Sequence, residues 1–447
     1  MATPSPSVPV RRAFGNVMIY AGFSQLRGLQ SEPAVKTLES AREAFKNIDG
    51  LKLEDLSSAA GYAEATAWQM EALRNLGRNE DARRNGEEAA AVAAKILEKR
   101  PAHMGALRAH SILVGNLADI EADSLQLRKA QVLADASTRD WESFLKLDPG
   151  NGIAWSNLSG NHLRNAGLLW ALGRVPEARD EMLAASAIER NTKMSAYFAV
   201  NQMWPAGFRA QLDADQGNQA LAEASLKEVH RLAEIAAAGR PPGSAERANL
   251  AMFETGWKIV VPVAARDYQA VSRMVQAVMP AAGVAKPADG REEYIWNLNL
   301  AAMHRALADA QYNLNEYPEA EKSTRKAMTY GALLERTLDR QREAAKDQML
   351  LAMILVRLDR RAEAQQAVAP ALQFHRGLYA RSQEDLTQRV ELAQALYASA
   401  LAGGPQRAAA LKEAAALVDG LPPAMRQLKS TVLLRERIAE EQGKPAA

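Results

Sequence analysis

The sequence predicts an all-α protein built from repeated helix hairpins. Short turn sequences that contain Gly, Asn or Asp recur at intervals of 44 to 50 residues. The segments between them are rich in Ala, Leu, Glu and Arg, and their apolar residues follow helical spacing, as in Leu300, Met303, Leu307, Ala310 and Leu314. No segment of useful length alternates apolar and polar residues as a half-buried strand does.

The turn sequences end on a small residue, as in LGRNEDA at 76–82 and LGRVPEA at 172–178. The Gly or polar residue suits a left-handed or loop conformation between two helices, and an acid at the start of the second helix complements its dipole. The closing Ala lets the two helices approach closely. These closing residues are Ala34, Ala82, Ala130, Ala178, Ala222, Ala270, Ala320, Ala364 and Ala408, of which Ala130 and Ala270 are placed partly by spacing.

The stretch WESFLKLDPGNGIAWSNLSG at 141–160 joins two apolar helical stripes through Asp148-Pro149-Gly150-Asn151. Around this join, Pro149, Trp155, Leu158 and Ser159 resemble the junction between two repeats of the tetratricopeptide repeat (TPR) superfamily. Two later segments follow the family register, at His304, Leu307, Ala308, Gln311, Tyr317, Ala320 and Ala327, and at Gln348, Leu351, Ala352, Leu355, Ala364 and Ala371. Several segments exceed the family pattern by about seven residues, which adds two helical turns and keeps the apolar stripe aligned. The resemblance is therefore to the long-helix members and covers about residues 13–420.

This resemblance implies a right-handed superhelical α-solenoid of about nine antiparallel helix hairpins with a C-terminal capping helix. We expect residues 1–12 to form a disordered N-terminal segment and residues 13–420 to form the TPR-like array. The capping helix and tail are expected at 421–447. The Pro- and Gly-rich stretches 237–246 and 278–293 predict softer joints within the array.

Composition and charge limit the partners and the compartment. The 447 residues include 55 Lys and Arg against 53 Asp and Glu, a balance that does not argue for nucleic acid. The absence of Cys excludes disulfides, thiolate metal sites and Cys nucleophiles. No apolar run is long enough to span a bilayer, and the N-terminus lacks a secretory signal pattern. We expect a cytoplasmic protein, or alternatively the extracytoplasmic arm of a larger membrane-anchored regulator.

The sequence contains no motif that carries catalysis or binds a metal ion. The six histidines lack metal-binding spacing, and His103 and His110 lie two helical turns apart, about 10 Å. No phosphate-binding glycine loop or nucleophile elbow occurs. We therefore expect no metal site, no cofactor and no enzymatic activity. A hydrolase, as a further alternative, requires a nucleophile and a base that converge in the groove.

Candidate binding residues follow from the resemblance, because the first helix of each TPR hairpin lines the concave face. The polar residues implied in this way are Asn157, Asn161, Arg305, Asp309, Tyr312 and Lys346. Arg305 and Lys346 form a candidate anion-binding pair. Asn157 and Asn161 lack a matching Lys, which argues against the carboxylate clamp of some family members. Trp204, beside Pro205, is the best aromatic candidate for a binding anchor.

The main functional hypothesis is a non-catalytic scaffold that binds a protein or peptide on its concave face. The long Ala-, Arg- and Leu-rich repeats resemble the sensor or docking arms of bacterial regulators, such as Ser/Thr kinases and winged-helix activators. The alternative is a ligand-sensing regulatory protein that holds a small molecule or signalling peptide in the groove. A deep closed pocket lined by Trp204, Tyr197 and Trp257 favours this alternative, whereas an open groove favours the scaffold. The sequence does not predict the oligomeric state.

Overall fold

The computed structural model describes residues 7–46, 48, 55–187, 195–280, 286–287, 290–334, 337–403 and 406–443. Within these ranges every regular element is a helix, so the predicted all-α fold class is confirmed. The chain divides into two compact units. Unit 1 comprises Met1–Leu168 and Ala187–Lys193, and unit 2 comprises Leu169–Ser186 and Met194–Ala447.

The helices are long, and those that open a hairpin often have about 20 residues. The helices up to the division between the units are α1 (Val8–Arg27), α2 (Ser31–Lys46), α3 (Leu56–Asn75), α4 (Asn79–Lys99), α5 (Met104–Asp123), α6 (Leu127–Leu147) and α7 (Gly152–Ala171). The following helices are α8 (Val175–Ala187), α9 (Ala196–Asp215), α10 (Gln219–Ala237), α11 (Ala245–Lys258), α12 (Val260–Ala264), α13 (Tyr268–Val278), α14 (Gly290–Asn313) and α15 (Tyr317–Gly331). The last helices are α16 (Leu338–Arg357), α17 (Arg361–Arg381), α18 (Leu386–Ala402), α19 (Arg407–Asp419), α20 (Pro423–Arg426) and α21 (Lys429–Gln442).

Eight tight turns within the described residues join consecutive helices into hairpins, as predicted. Each of them holds one residue in the left-handed region, with φ between 58° and 84°: Leu29, Gly77, Leu125, Gly173, Gly217, Arg266, Asn315 and Asp359. Helices α18 and α19 form a ninth hairpin, in which the left-handed Gly403 follows α18 and residues 404–405 lie outside the described residues. In the first eight turns the next residue donates its backbone N–H to a carbonyl five residues earlier, as Arg78 does to Leu73 at 2.8 Å. This bond satisfies a carbonyl that the ending helix leaves unpaired.

The closing alanines mark a buried position in the first turn of the second helix of a hairpin. Seven of the nine lie at the fourth position of that helix and are fully buried: Ala34, Ala82, Ala130, Ala178, Ala222, Ala320 and Ala364. Ala270 and Ala408 need correction, because the buried residues near the starts of α13 and α19 are Val271 and Leu411, each 1% exposed. In those two hairpins a larger apolar side chain takes the packing position.

The DPGN sequence at 148–151 is a structural join between α6 and α7. The side-chain oxygen of Asn151 accepts the N–H of Ala154 at 3.0 Å and so caps α7. The Trp155 indole donates to the carbonyl of Pro149 at 2.9 Å. The polar residues of this turn are therefore used to start the next helix.

The ends of the array differ in detail from the expectation. Helix α1 begins at Val8 with Pro9 in its first turn, so residues 8–12 are helical and were wrongly predicted to be disordered. Proline suits that position because it lacks the N–H that a first turn leaves unpaired. The joint at 237–246 contains the left-handed Gly239 and Gly243 between α10 and α11. Residues 1–6, and 281–285 and 288–289 of the other predicted joint, lie outside the described residues.

Candidate functional site

A cavity of about 1170 Å³ lies within unit 2. Its walls are the N-terminal parts of α9, α14 and α16, together with α11 and the end of α15. These are mainly the first helices of four successive hairpins, fifth to eighth in chain order. The cavity is thus lined mainly by first helices, and of the predicted binding residues Trp204 and Arg305 line it.

Trp204, Phe253 and Trp257 line one end of the cavity, and Phe208 packs against Trp204 and Trp257. The Trp204 ring centroid lies 5.1 Å from that of Phe253, 5.4 Å from that of Trp257 and 5.8 Å from that of Phe208. Trp257 is 8% exposed, whereas Trp204 keeps 40% of its surface exposed. Trp204 is therefore held by its neighbours in one orientation and still offers its ring to a ligand.

Gly207 allows α11 to pack closely on α9. A methyl group at this position would overlap the indole ring of Trp257, whose fused-ring atoms lie directly over the glycine. No side chain larger than hydrogen fits without moving that ring. The position of Trp257, and through it that of Trp204, therefore depends on this glycine.

Gly207→Ala is expected to lower the free energy of unfolding by about 1–3 kcal/mol, because the methyl group displaces the Trp257 ring. Urea denaturation followed by circular dichroism measures the change. The matched control is Gly377→Ala in α17, where an added methyl group meets nothing within 4 Å. That control is expected to gain about 0.5–1 kcal/mol from helix propensity. A stabilising effect at both positions would show that the Gly207 contact is not tight.

The other end of the cavity is ionic. Arg305 of α14 binds Asp347 of α16 through two nitrogens, with N–O distances of 2.6 and 3.0 Å, and also pairs with Glu343. Lys346 contacts the same Glu343 at 2.9 Å and Glu391 of α18 at 3.7 Å. The predicted pair of cations is thus brought together, with Glu343 between them. Both positive charges are already matched by carboxylates of the protein.

Burial and neighbouring charges together set the pKa values of the titratable groups at this ionic end. Loss of water raises the pKa of Asp347, although Arg305 opposes the shift. The pKa of Glu343 is lowered, because Arg305 and Lys346 outweigh the effect of its burial. Farther along the same network, burial lowers the pKa of His375 to about 4, and its Nδ1 lies 3.7 Å from Glu391. His375 is therefore neutral near pH 7.

Asp309 and Tyr312 lie on α14 beyond the cavity wall. Tyr312 is 9% exposed and packs in an apolar cluster with Leu350 and Ile354 of α16. Burial raises the pKa of Asp309, and the opposing charge nearby is Arg437 of α21. These two predicted residues face the interior of unit 2 and not the cavity.

Asn157 and Asn161 belong to unit 1 and are remote in sequence from the cavity residues. Asn157 is half-buried on α7. Asn161 is 4% exposed, donates to Ser137 Oγ at 2.6 Å and accepts from Arg164. Arg164 in turn binds Asp119 at 2.6 Å. Both ends of the Asn161 amide are thus engaged in a buried network that ties α7 to α5 and α6.

Of the aromatic partners of Trp204, the sequence analysis named Trp257 but missed Phe208 and Phe253, although a signal exists. Trp204 and Phe208 are four residues apart, and so are Phe253 and Trp257, exactly one 49-residue repeat later. Residues at equivalent positions of successive first helices lie side by side in a hairpin array. The repeated aromatic pair could therefore have predicted the cluster. In the same way, the 50-residue spacing of Asn249 and Asn299 could have predicted their hydrogen bond.

Comparisons with known proteins found similar solved structures at low identity. No protein-family model and no curated protein matches the chain. The crystal structure of yeast Tom70 is similar at 12% identity and a TM-score of 0.34, over 96% of each chain. The crystal structure of the P58(IPK) TPR domain is similar at 12% identity and a TM-score of 0.21, over 96% of this chain and 99% of that one. In the described residues the chain is an all-α array of antiparallel helix hairpins. That conclusion rests on its own nine hairpins and their turns.

The described residues contain neither a metal-binding cluster nor a membrane-spanning helix. No three His, Asp or Glu side chains in the described ranges are placed to hold one metal ion. Among the helices of those same ranges, none combines the length and the apolar character needed to cross a membrane.

Proposed function

We propose that this protein is a non-catalytic scaffold that docks a protein or peptide partner in the cavity of unit 2. The observation that carries the proposal is Trp204, a large aromatic ring 40% exposed at the wall of a cavity of about 1170 Å³. Aromatic residues fixed by their neighbours are the usual anchors of protein interfaces. Small-molecule pockets typically measure about 300–1,000 Å³, so a cavity of this size has room for a short peptide segment.

The partner is expected to place an apolar side chain against Trp204 and Phe253. Arg305 and Lys346 are less suited as primary contacts, because Asp347, Glu343 and Glu391 already neutralise them. An anion would have to displace a carboxylate of the protein. The ionic end therefore supports the cavity wall, and the aromatic end supplies the contact.

The alternative is a ligand-sensing regulatory protein that binds a small molecule or signalling peptide at the same place. In its favour, Trp204 and Trp257 line the cavity as that alternative requires. The side chain of Tyr197 lies outside the described residues. The two proposals differ in the size of the occupant, which the experiments below measure.

We further propose that docking serves a bacterial regulatory system and takes place in the cytoplasm, with an extracytoplasmic arm as the alternative. The resemblance of the long repeats to the docking arms of such regulators supports this role. The balanced charge of 55 basic and 53 acidic residues suits a protein partner better than nucleic acid.

Site-directed photocrosslinking tests the docking proposal. A benzophenone amino acid replaces Trp204 in one variant and Leu221 of α10 in the control, because Leu221 is 49% exposed but does not line the cavity. We expect a protein crosslinked in cells at position 204 and not at 221. Trp204→Ala is expected to reduce recovery of that protein at least tenfold, the usual loss at an interface anchor.

Equal crosslinking at the two positions, or full recovery with Trp204→Ala, would count against docking at the cavity. Native mass spectrometry of the purified chain examines the alternative. A bound molecule below about 1,000 Da that is lost in Trp204→Ala would favour ligand sensing over the scaffold.

A further inference from the structure

Helix α21 reaches back to hairpins far earlier in the chain. The carboxylate of Asp215, the last residue of α9, accepts both the backbone N–H and the hydroxyl of Ser430, each at 2.7 Å. These residues are 215 positions apart. In a helical repeat array each hairpin normally contacts only its neighbours. The contact therefore joins the fifth hairpin to the end of the chain.

Asp215 is placed to cap α21 and is poorly placed for its own helix. The N-cap residue of α21 is Leu428, which has no side-chain oxygen to accept an N–H. An acid at the C-terminal end of α9 opposes the dipole of that helix, whereas at the N-terminus of α21 it is favourable. When the two helix ends meet, α21 gains the cap that Leu428 does not supply, and this contact offsets the unfavourable position of Asp215 on α9.

Two further polar contacts continue along α21. Glu436 pairs with Arg266, the turn residue of the sixth hairpin, at 2.7 Å. Arg437 donates to the side chain of Asn313, at the end of α14 in the seventh hairpin, at 2.8 Å. From Ser430 to Arg437 the helix rises about 10 Å. Three successive hairpin ends therefore converge on two turns of α21.

The opposite face of α21 is apolar and packs on the ninth hairpin. Leu434 is 6% exposed and Ile438 is 1% exposed, and both join a cluster that includes Leu396 of α18 and Leu411 of α19. By contrast, the Arg266 and Glu436 side chains are 52% and 55% exposed. One face of α21 is thus part of a core, whereas the other meets its partners through polar groups that are exposed at Ser430 and Glu436 and half-buried at Arg437.

We propose that α21 is a strap. Its polar seam, formed with Asp215, Arg266 and Asn313 of the fifth to seventh hairpins, opens and closes. Its apolar face stays packed on the ninth hairpin. Exposed ion pairs and hydrogen bonds are weak individually and are screened by salt. The seam joins the ninth hairpin to the C-terminal ends of α9 and α14, whose N-terminal parts line the cavity. Opening of the seam separates the ninth hairpin from those C-terminal ends. The strap itself does not depend on the proposed docking function.

Hydrogen exchange of the full chain tests the cap. In Asp215→Ala the amides of residues 430–433 are expected to exchange at least tenfold faster, while those of α19 keep the wild-type rate. The matched control is Asp123→Ala, because Asp123 is likewise the last residue of a first helix, α5, and belongs to unit 1. That control is expected to leave residues 430–433 unchanged.

A charge exchange tests the opening itself. The chain has no Cys, so Ala220→Cys and Ala439→Cys, both at exposed positions, allow two spin labels to be attached. We expect one main distance in the labelled protein and a second, longer one in Arg266→Glu. The double variant Arg266→Glu with Glu436→Arg is expected to restore the main distance. In 1 M NaCl the longer population should grow in the labelled protein as well.

Three results would overturn the strap. The first is an unchanged distance distribution in Arg266→Glu together with unchanged exchange in Asp215→Ala. The second is faster exchange throughout unit 2 in either variant, which would make α21 an inseparable part of the core. The third is an Arg266→Glu effect that the second substitution does not reverse. Circular dichroism of every variant separates local opening from unfolding.

Discussion

Replacing Arg305 with methionine is expected to lower the free energy of unfolding of the full chain by about 3–5 kcal/mol. The side chain of Asp347 is 2% exposed, and Arg305 supplies both of its close ionic contacts. Methionine fills a similar volume but leaves that buried carboxylate without its partner. Urea denaturation at pH 7.5, analysed with a two-state fit for unit 2, measures the loss.

Two companion variants distinguish the buried pair from its surroundings. Lys346→Met removes a charge that is 39% exposed, and is expected to cost less than about 1 kcal/mol. Arg305→Met combined with Asp347→Leu removes both members of the pair, and is expected to be more stable than Arg305→Met alone. If the double variant is instead the less stable, the unpaired carboxylate is not the source of the loss.

Acidification from pH 7 to pH 4.5 is expected to destabilise the fold through His304 and His375. Burial lowers the pKa of each to about 4, from an ordinary 6.5. Between these values the unfolded chain binds protons that the folded chain does not. The stability is therefore complete above about pH 6.5 and falls as the pH approaches 4, by about 3 kcal/mol for each histidine.

Comparison of the wild type with His375→Gln isolates the contribution of His375 to this loss of stability. Burial raises the pKa of Asp347, Asp309 and Asp385, so these carboxyls oppose the histidines as the pH falls. Wild type and His375→Gln share those carboxyls. The difference between their unfolding free energies, measured from pH 7.5 to pH 4.5, should therefore contain the histidine contribution. Parallel curves over that range would contradict the expected protonation.

The fold was largely predictable because the hairpin turns are encoded locally. A Gly or Asn at a left-handed position, followed by a small residue near the start of the next helix, is visible in seven residues of sequence, as in LGRVPEA. Ala270 and Ala408 were placed incorrectly because their turns lack a clear pattern. Leu29 and Leu125 adopt left-handed conformations that leucine disfavours, so no propensity argument identifies them.

The candidate site was only partly predictable, because partner choice depends on the rotation of each helix. Trp204 was found from its own context, beside a proline and outside the packing register. That Arg305 would bind Asp347, 42 residues later, depends on which faces α14 and α16 turn to each other. The same holds for Asn161, whose burial against Ser137 no spacing rule specifies. Resemblance to a repeat family identifies the lining helices but not the rotation of each side chain.

The contacts of α21 also bear on how cooperatively unit 2 unfolds. An open repeat array can melt from its ends one hairpin at a time, since its stability is a sum of neighbour terms. A helix that holds the ninth hairpin and also bonds to Asp215 and Asn313 closes the fifth to ninth hairpins into a ring. Fraying at one end then breaks contacts at the other. While the seam is closed, these five hairpins should consequently share a single melting transition, whereas in 1 M NaCl, which opens the seam, they should melt in more than one step.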